Sequence, residues 1–281
     1  MGAVASHRLV TEVRSRSARP AGPAFYSAQL NIALLLRHRQ TTTPATRSEH
    51  MRTVVFGATG PTGRQLTEQA LAAGHEVTAV TRRPGSIQPR AGLTVVTADI
   101  ANPDAVERAI AGSDAVLSSL GVPLSPKPIT VYSQGNANIV AAMHRHGVKR
   151  LVTISSSVMD PTWRPTGEFF FNNIMDPLIN RRLGRTAHED MRRMEALVRN
   201  SDLDWTIARP SGLFDHPTVT RYHVEENVAD GLFTARADLA ASMVSQLTDD
   251  RFVRRAMAVI TTQVRPSIAG LIWREAVAKK K

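Results

Sequence analysis

The stretch VVFGATGPTGRQL, residues 54–66, sets Gly57, Gly60 and Gly63 three residues apart where β-forming residues give way to helix-forming ones. A strand that turns sharply into a helix needs one residue with unusual backbone freedom, and Gly57 supplies it. Gly60 leaves out a Cβ where a diphosphate would have to approach the backbone, and Gly63 lets the new helix pack close to the strand. Pro61 suits the first helical turn, where its missing N–H costs nothing. Thr59 and Thr62 complete the loop. The unpaired N–H groups and positive end of such a helix face an anion, so the chemistry expected here is capture of a dinucleotide. The spacing G-x-x-G-x-x-G is a variant of the common G-x-G-x-x-G. The competing reading is a tight βα turn that holds nothing.

About twenty residues further on, such a site distinguishes its ligand by charge. An acid at the end of the second strand accepts from a free ribose 2′-hydroxyl, whereas arginine there meets a 2′-phosphate. The strand EVTAVTRR ends in Arg82 and Arg83, and after Glu76 the next acid is Asp99. A guanidinium holds a phosphate bidentately, so NADP(H) is the expected cofactor.

These residues need elements to hold them. From Met51 on, short β-rich runs (TVVFGA, EVTAVTRR, LTVVTADI, DAVLSSLG, VKRLVTISSS) alternate with stretches of helical spacing. One helix is opened by Pro103 and Asp104, and another spans TVYSQGNANIVAAMHRHG. Parallel strands need crossover helices, so this alternation predicts an α/β fold with a Rossmann-like, doubly wound parallel sheet. A single domain over residues 51–281 is expected, with a small C-terminal elaboration on the substrate side.

Composition narrows the rest. The 281 residues are 42% hydrophobic, enough for one large core, and contain no cysteine, which removes disulfides and thiolate chemistry. No run reaches 18 apolar residues, so no membrane span is expected. The net charge of +11 comes mostly from scattered arginine with only 5% aromatics, a pattern that argues against a nucleic-acid partner. No metal-ligand cluster stands out, and a cytoplasmic location is expected. Residues 1–50 carry seven arginines against Glu12 and Glu49. They read as a disordered or non-native extension, with Met51 as the natural beginning; an organelle transit peptide is the other reading.

In order and spacing, GATGPTG, TRRP, ADI, AGSDAVLSSLG, NANIVAAMHRHGVKRLVTISS and ARPSG resemble the atypical short-chain dehydrogenase/reductase group. They are most similar to NAD(P)H-binding proteins of the biliverdin-IXβ reductase/flavin reductase kind, with NmrA-like regulators more distant. The resemblance runs from about residue 51 to 250. It implies that Arg82, with Arg83 beside it, binds the 2′-phosphate and that Asp99 and Ile100 flank adenine. It further implies that Leu120 and Gly121 lie against the nicotinamide ribose, that Ser155 and Ser156 line the nicotinamide, and that Pro210 closes that end.

One departure bears on the reaction. The Tyr-x-x-x-Lys pair of standard short-chain dehydrogenases is missing: none of Tyr26, Tyr132 and Tyr222 is followed four residues later by lysine. Alcohol oxidation with a tyrosine acid is therefore not expected, whereas flat conjugated acceptors can take their proton from solvent or a weak donor. Ser156 is a candidate to orient an acceptor or relay a proton, against a hydroxyl that merely satisfies a strand end. His188 is a candidate donor, against a residue of a helix-start turn. The stretch from Val158 to Gly184, with Trp163, Phe169, Phe170 and Phe171, is expected to form a substrate wall or lid, or a dimer contact. The apolar stripe Ile268, Leu271, Ile272 and Val277 is expected to form a C-terminal helix. Two functions follow: an NADPH-dependent reductase of a flavin, quinone or similar small-molecule acceptor, or a non-catalytic NADP(H)-sensing regulator of the NmrA-like kind. Either would act as a monomer or homodimer.

Overall fold

The computed structural model describes residues 50–122, 127–169, 171–173 and 184–266. The chain divides into units Met1–Thr46 and Arg47–Lys281, and every described residue belongs to the second. The N-terminal fifty residues apart from His50, Phe170, residues 174–183 of the aromatic stretch and the stripe from Ile268 to Val277 lie outside the described residues.

Among the described residues, ten strands and five α-helices order as β1 (Arg52–Phe56), α1 (Pro61–Ala72), β2 (Glu76–Thr81), β3 (Leu93–Thr97), α2 (Pro103–Ile110), β4 (Ala115–Ser118), α3 (Val131–His146), β5 (Arg150–Ile154), α4 (Arg185–Arg199), β6 (Asp204–Pro210), β7 (Gly212–Phe214), β8 (Tyr222–Glu226), β9 (Phe233–Ala235), α5 (Arg236–Ser245) and β10 (Arg255–Thr261). Eight of the strands form one sheet in the order β3-β2-β1-β4-β5-β6-β10-β8. All neighbours in it run parallel except β8, which is antiparallel to β10. This is the doubly wound, Rossmann-like sheet expected from the alternation of strand and helix runs.

The helices cover both faces. Val106 and Ile110 of α2, Ile139 and Met143 of α3, and Met194 and Val198 of α4 pack on one side with Val54, Phe56 and Val116. Leu66 and Ala70 of α1 and Leu239 and Met243 of α5 pack on the other with Val55, Leu117 and Val152. Adjacent strand residues therefore point into different cores. That explains why β4 is buried at all four positions and is apolar up to its last residue, Ser118.

Local signals end the elements where the residues suggest. The Asn102 side chain accepts from the Asp104 and Ala105 N–H groups (3.1 and 3.2 Å) and caps α2 ahead of Pro103. Gly147, left-handed at φ 67°, stops α3. The N-terminus of α3 has no side-chain cap of its own. Asp190, fully buried on α4, accepts instead from the backbone N–H groups of Tyr132 (2.8 Å) and Ser133 (3.3 Å) and from the Ser133 hydroxyl. One helix thus caps the next across the core.

Candidate functional site

Strand order reverses between β1 and β4, and a crevice opens beyond the carboxyl ends of strands at such a point. A cavity of about 710 Å³ lies there, lined by the loops after β1 to β5, by the first turn of α3, and by Met191, Leu213 and Arg236. That volume is in the range of small-molecule and cofactor sites.

The glycine turn builds its floor. Gly57 takes φ 77°, and a Cβ there would stand 2.5 Å from the Ser119 carbonyl oxygen. The Ser119 hydroxyl donates to the Phe56 carbonyl at 2.9 Å, so β1 and β4 end locked together. A Cβ on Gly63 would meet the Gly57 carbonyl oxygen at 2.0 Å, so this glycine serves the close packing of α1. Gly60 differs: its backbone is ordinary and extended (φ −69°), and it lines the cavity. Its bareness is a matter of access. Pro61 opens α1 behind it, with no acidic residue in the first turn to compete for an anion.

Thr59, Gly60, Pro61 and Thr62 all line the cavity, as do Asp99, Ile100, Leu120 and Gly121. The Asp99 carboxylate accepts from the Ala101 N–H at 3.0 Å, which shapes the turn after β3. A side recess of about 390 Å³ is bounded by Thr59, Thr81, Arg82 and Arg83. The Thr81 hydroxyl accepts from the Arg83 N–H (3.1 Å) and the Ser86 hydroxyl donates to the Arg83 carbonyl (2.6 Å), so the loop backbone is fixed. Neither guanidinium has an ion-pair partner among the described residues. Two unpaired cations beside a recess fit a phosphate well.

At the β5 end, Ser155 lines the cavity with its hydroxyl buried and without a hydrogen-bond partner. Its N–H donates to the Ala208 carbonyl at 2.8 Å, which holds it in place. A buried hydroxyl left unsatisfied is costly, and this one is closed off from solvent, so it would meet a polar group of a bound ligand only after turning about its side-chain bond.

Three nominated residues stand elsewhere. Ser156 does not line the cavity: β5 stops at Ile154 and the chain turns into a 3-10 helix, Ser157–Met159, so Ser155 takes the inward position. His188 lies half-buried in the first turn of α4, and that helix meets the cavity one turn later, at Met191. Pro210 is buried as the last residue of β6, and the chain folds over it into β7, whose Leu213 forms the wall instead. Of the aromatic stretch, Phe170 and residues 174–183 lie outside the described residues. Trp163 is buried edge-on against Phe171 (5.8 Å between rings), Phe169 is exposed, and none of the three lines the cavity.

Several contributors were missed. Gly135 lines the cavity, and a Cβ there would come within 2.8 Å of Leu120 and 2.9 Å of Ile100, so α3 can approach both only because the residue is bare. Asn138 donates to the Ile100 carbonyl at 2.8 Å and fixes that loop. Asn136 ties α3 to β5 by accepting from the Thr153 hydroxyl at 3.1 Å. The run GNAN was the available signal. Tyr132 also lines the cavity, its phenol kept protonated to higher pH by burial, with the nearby Asp190 charge acting in the same direction. Deeper, Arg209 binds Glu195 bidentately (3.0 and 2.7 Å) and Asp160 (3.2 Å). Burial works against that guanidinium's charge, but the two carboxylates outweigh it and raise its pKa. This network ties α4, β6 and the turn after β5 together.

A glycine turn at the crossover of a doubly wound sheet, with a basic recess beside it, defines a dinucleotide-binding protein of the Rossmann class. The chain belongs to the NAD(P)H-binding family, whose model matches residues 57–250. An uncharacterised protein of Mycobacterium tuberculosis is 39% identical over 107 residues, 38% of this chain, and that match spans only 12% of the mycobacterial protein. A chloroplastic protein of Arabidopsis thaliana, also uncharacterised, is 30% identical over 58% of this chain and 59% of its own length. A (4-alkanoyl-5-oxo-2,5-dihydrofuran-3-yl)methyl phosphate reductase of Streptomyces griseus is 30% identical over 56% of this chain and 46% of its own. Among solved structures, the anaerobilin reductase ChuY of Escherichia coli O157:H7 superposes with TM-score 0.62 at 21% identity, over 77% of this chain and all of that one. A short-chain dehydrogenase/reductase of Veillonella parvula in complex with NADP gives 0.61 at 21%, over 77% of this chain and 99% of that one. At those identities the structural likeness is one of fold. Among the described residues, no helix is long and apolar enough to cross a membrane.

Proposed function

We propose that the protein is an NADPH-dependent oxidoreductase that reduces a flat conjugated acceptor. The observation that carries this reading is Ser155: a buried hydroxyl without a partner, at the end of the cavity opposite the arginine recess, beside the apolar Ile154 and Leu213. A reactive ring stacked there would lie against the apolar Ile154, Met191 and Leu213 with Ser155 beside it. The reductase names among the relatives, the Streptomyces griseus enzyme and a 2-alkyl-3-oxoalkanoate reductase of Stenotrophomonas maltophilia, support the same class.

When bound, NADPH supplies a hydride, and with one proton from solvent the acceptor gains two electrons and two hydrogens. The chain's part is positioning. The backbone N–H groups of the glycine turn and the start of α1, apart from Pro61, which has none, and Gly60, which donates to the Gly57 carbonyl, would hold the diphosphate, Arg82 and Arg83 would hold the 2′-phosphate, and Ile100 and Leu120 would flank the flat rings. The Ser155 hydroxyl orients the reacting end, and Ile154, Met191 and Leu213 keep water away. Stopped-flow loss of NADPH absorbance against a panel of flavins and quinones tests this. Turnover is expected, about tenfold slower in Ser155→Ala, the loss typical of one hydrogen bond to a reacting group. NADPH binding without oxidation by any acceptor would return the protein to the sensor reading.

A further inference from the structure

Arg236 opens α5 directly after β9, and its side chain, 24% exposed, lines the same cavity as the glycine turn. In the β7–β9 ladder Leu213 pairs with Thr234 and Phe214 with Ala235, so Arg236 follows one residue past the end of that pairing, next to the wall that Leu213 provides. Leu213 comes after β6, and Arg82 comes after β2, on the other side of β1 in the sheet. The two arginines are the cations lining the cavity among the described residues. Arg82 faces the recess that suits the 2′-phosphate. Arg236 has no such assignment.

Its partner is a weak one. One Arg236 nitrogen, Nη1, donates to Asp215 Oδ1 at 2.9 Å, and that carboxylate is 65% exposed. An exposed pair of this kind contributes little in water, and the remaining guanidinium N–H groups have no partner among the described residues. A bidentate anion would displace Asp215 at small cost.

We propose that Arg236 forms an anion subsite for the acceptor, binding a carboxylate or phosphate group carried on the molecule whose ring lies against Ser155 and Leu213. Asp215 is the counter-ion that this group displaces. The assignment rests on the reductase reading, because it requires a second substrate in the cavity. It narrows the acceptor class to conjugated molecules bearing an anionic substituent.

FMN and riboflavin carry the same ring and differ in one phosphate, so they serve as the probes. Quenching of their fluorescence is titrated with the full chain saturated in NADP⁺, which needs no turnover, and NADPH affinity is measured in parallel. The wild type is expected to bind FMN about tenfold more tightly than riboflavin, the gain from one charge-assisted contact. Arg236→Ala should erase that preference by weakening FMN alone. Asp215→Asn, which removes the competitor and keeps the shape, should tighten FMN several-fold. Three results would overturn the assignment: no FMN preference in the wild type, no binding of either flavin, or a loss of NADPH affinity in Arg236→Ala equal to the loss for FMN, which would place the arginine on the cofactor. An FMN preference that depends on Arg236, without any NADPH oxidation, would support the subsite and count against the reductase reading.

Discussion

We propose that cofactor choice rests on two side chains. Arg82 and Arg83 border the recess with Thr59 and Thr81, and the loop backbone under them is already hydrogen-bonded, so the guanidinium groups are what remains to bind. If they hold a 2′-phosphate, Arg82→Ala with Arg83→Ala removes two charge-assisted contacts of roughly 1.5–3 kcal/mol each. NADPH should then bind at least about tenfold more weakly while NADH, which has no phosphate to lose, changes little. Arg82→Asp should go further by repelling the phosphate and offering a carboxylate to the 2′-hydroxyl. Calorimetric titration of both cofactors checks this, and equal losses for NADH and NADPH would mean that the arginines are surface charges.

At the scale of elements, α3 is the part that sets the cavity. Its first turn supplies Thr130, Val131, Tyr132, Gln134 and Gly135 to the lining, yet its N-terminal N–H groups depend on Asp190 of α4. Asp190→Ala would leave those groups buried without an acceptor, a loss of about 2 kcal/mol, or a Tm lower by roughly 4–8 °C for a domain of this size. NADPH affinity should fall with it, because the turn lines the site. Asp190→Asn keeps an acceptor oxygen and should lose less of both. Differential scanning calorimetry with a parallel cofactor titration reads the two effects, and a variant as stable as wild type would show that Asp190 does not carry the cap. The Arg209–Glu195–Asp160 network is a second joint of this kind, buried deeply enough that removing one partner would strand a charge.

At the scale of the whole molecule, the sheet's lower edge holds a pH-sensitive contact. The Met51 N–H donates to His75 Nδ1 at 3.2 Å, and both residues are buried. Burial, and then the neighbouring His50, lower the His75 pKa from its ordinary 6.5. As pH falls through 6.5 the unfolded chain therefore takes up this proton before the folded one does. Stability declines from there down to the folded pKa and then levels off. His75→Gln keeps an acceptor for Met51 without the titration, so its Tm should fall less than that of the wild type between about pH 7.5 and about pH 5.5. A wild-type-like slope would count against His75 as the cause. The same corner bears on the N-terminal fifty residues. Met51 is packed with Leu66 and Val77 in the core, and a chain beginning there keeps every described residue that lines the cavity. We propose that such a chain retains both the fold and NADPH affinity; an insoluble product, or one that no longer binds NADPH, would extend the domain boundary toward the N-terminus.

What the sequence determined by itself is local. The glycine turn was legible because Gly57 and Gly63 answer to backbone angle and close packing within a few residues, and the parallel sheet because strand runs alternate with helical runs long enough to serve as crossovers. The position of Arg82 and Arg83 followed from the length of β2 alone. Tertiary structure decided what faces the cavity. Ser155 rather than Ser156 lines the cavity because β5 ends at Ile154, after which strand alternation no longer fixes direction. Trp163 and Phe171 pack on each other rather than on the site, since apolar rings are drawn to any buried surface and not to a particular one. Arg236 and Asp190 reach their places only through the β7–β9 ladder and the packing of α4 on α3, contacts between segments far apart in the chain. No spacing in the sequence encodes such meetings, because they depend on where separate elements come to rest against one another.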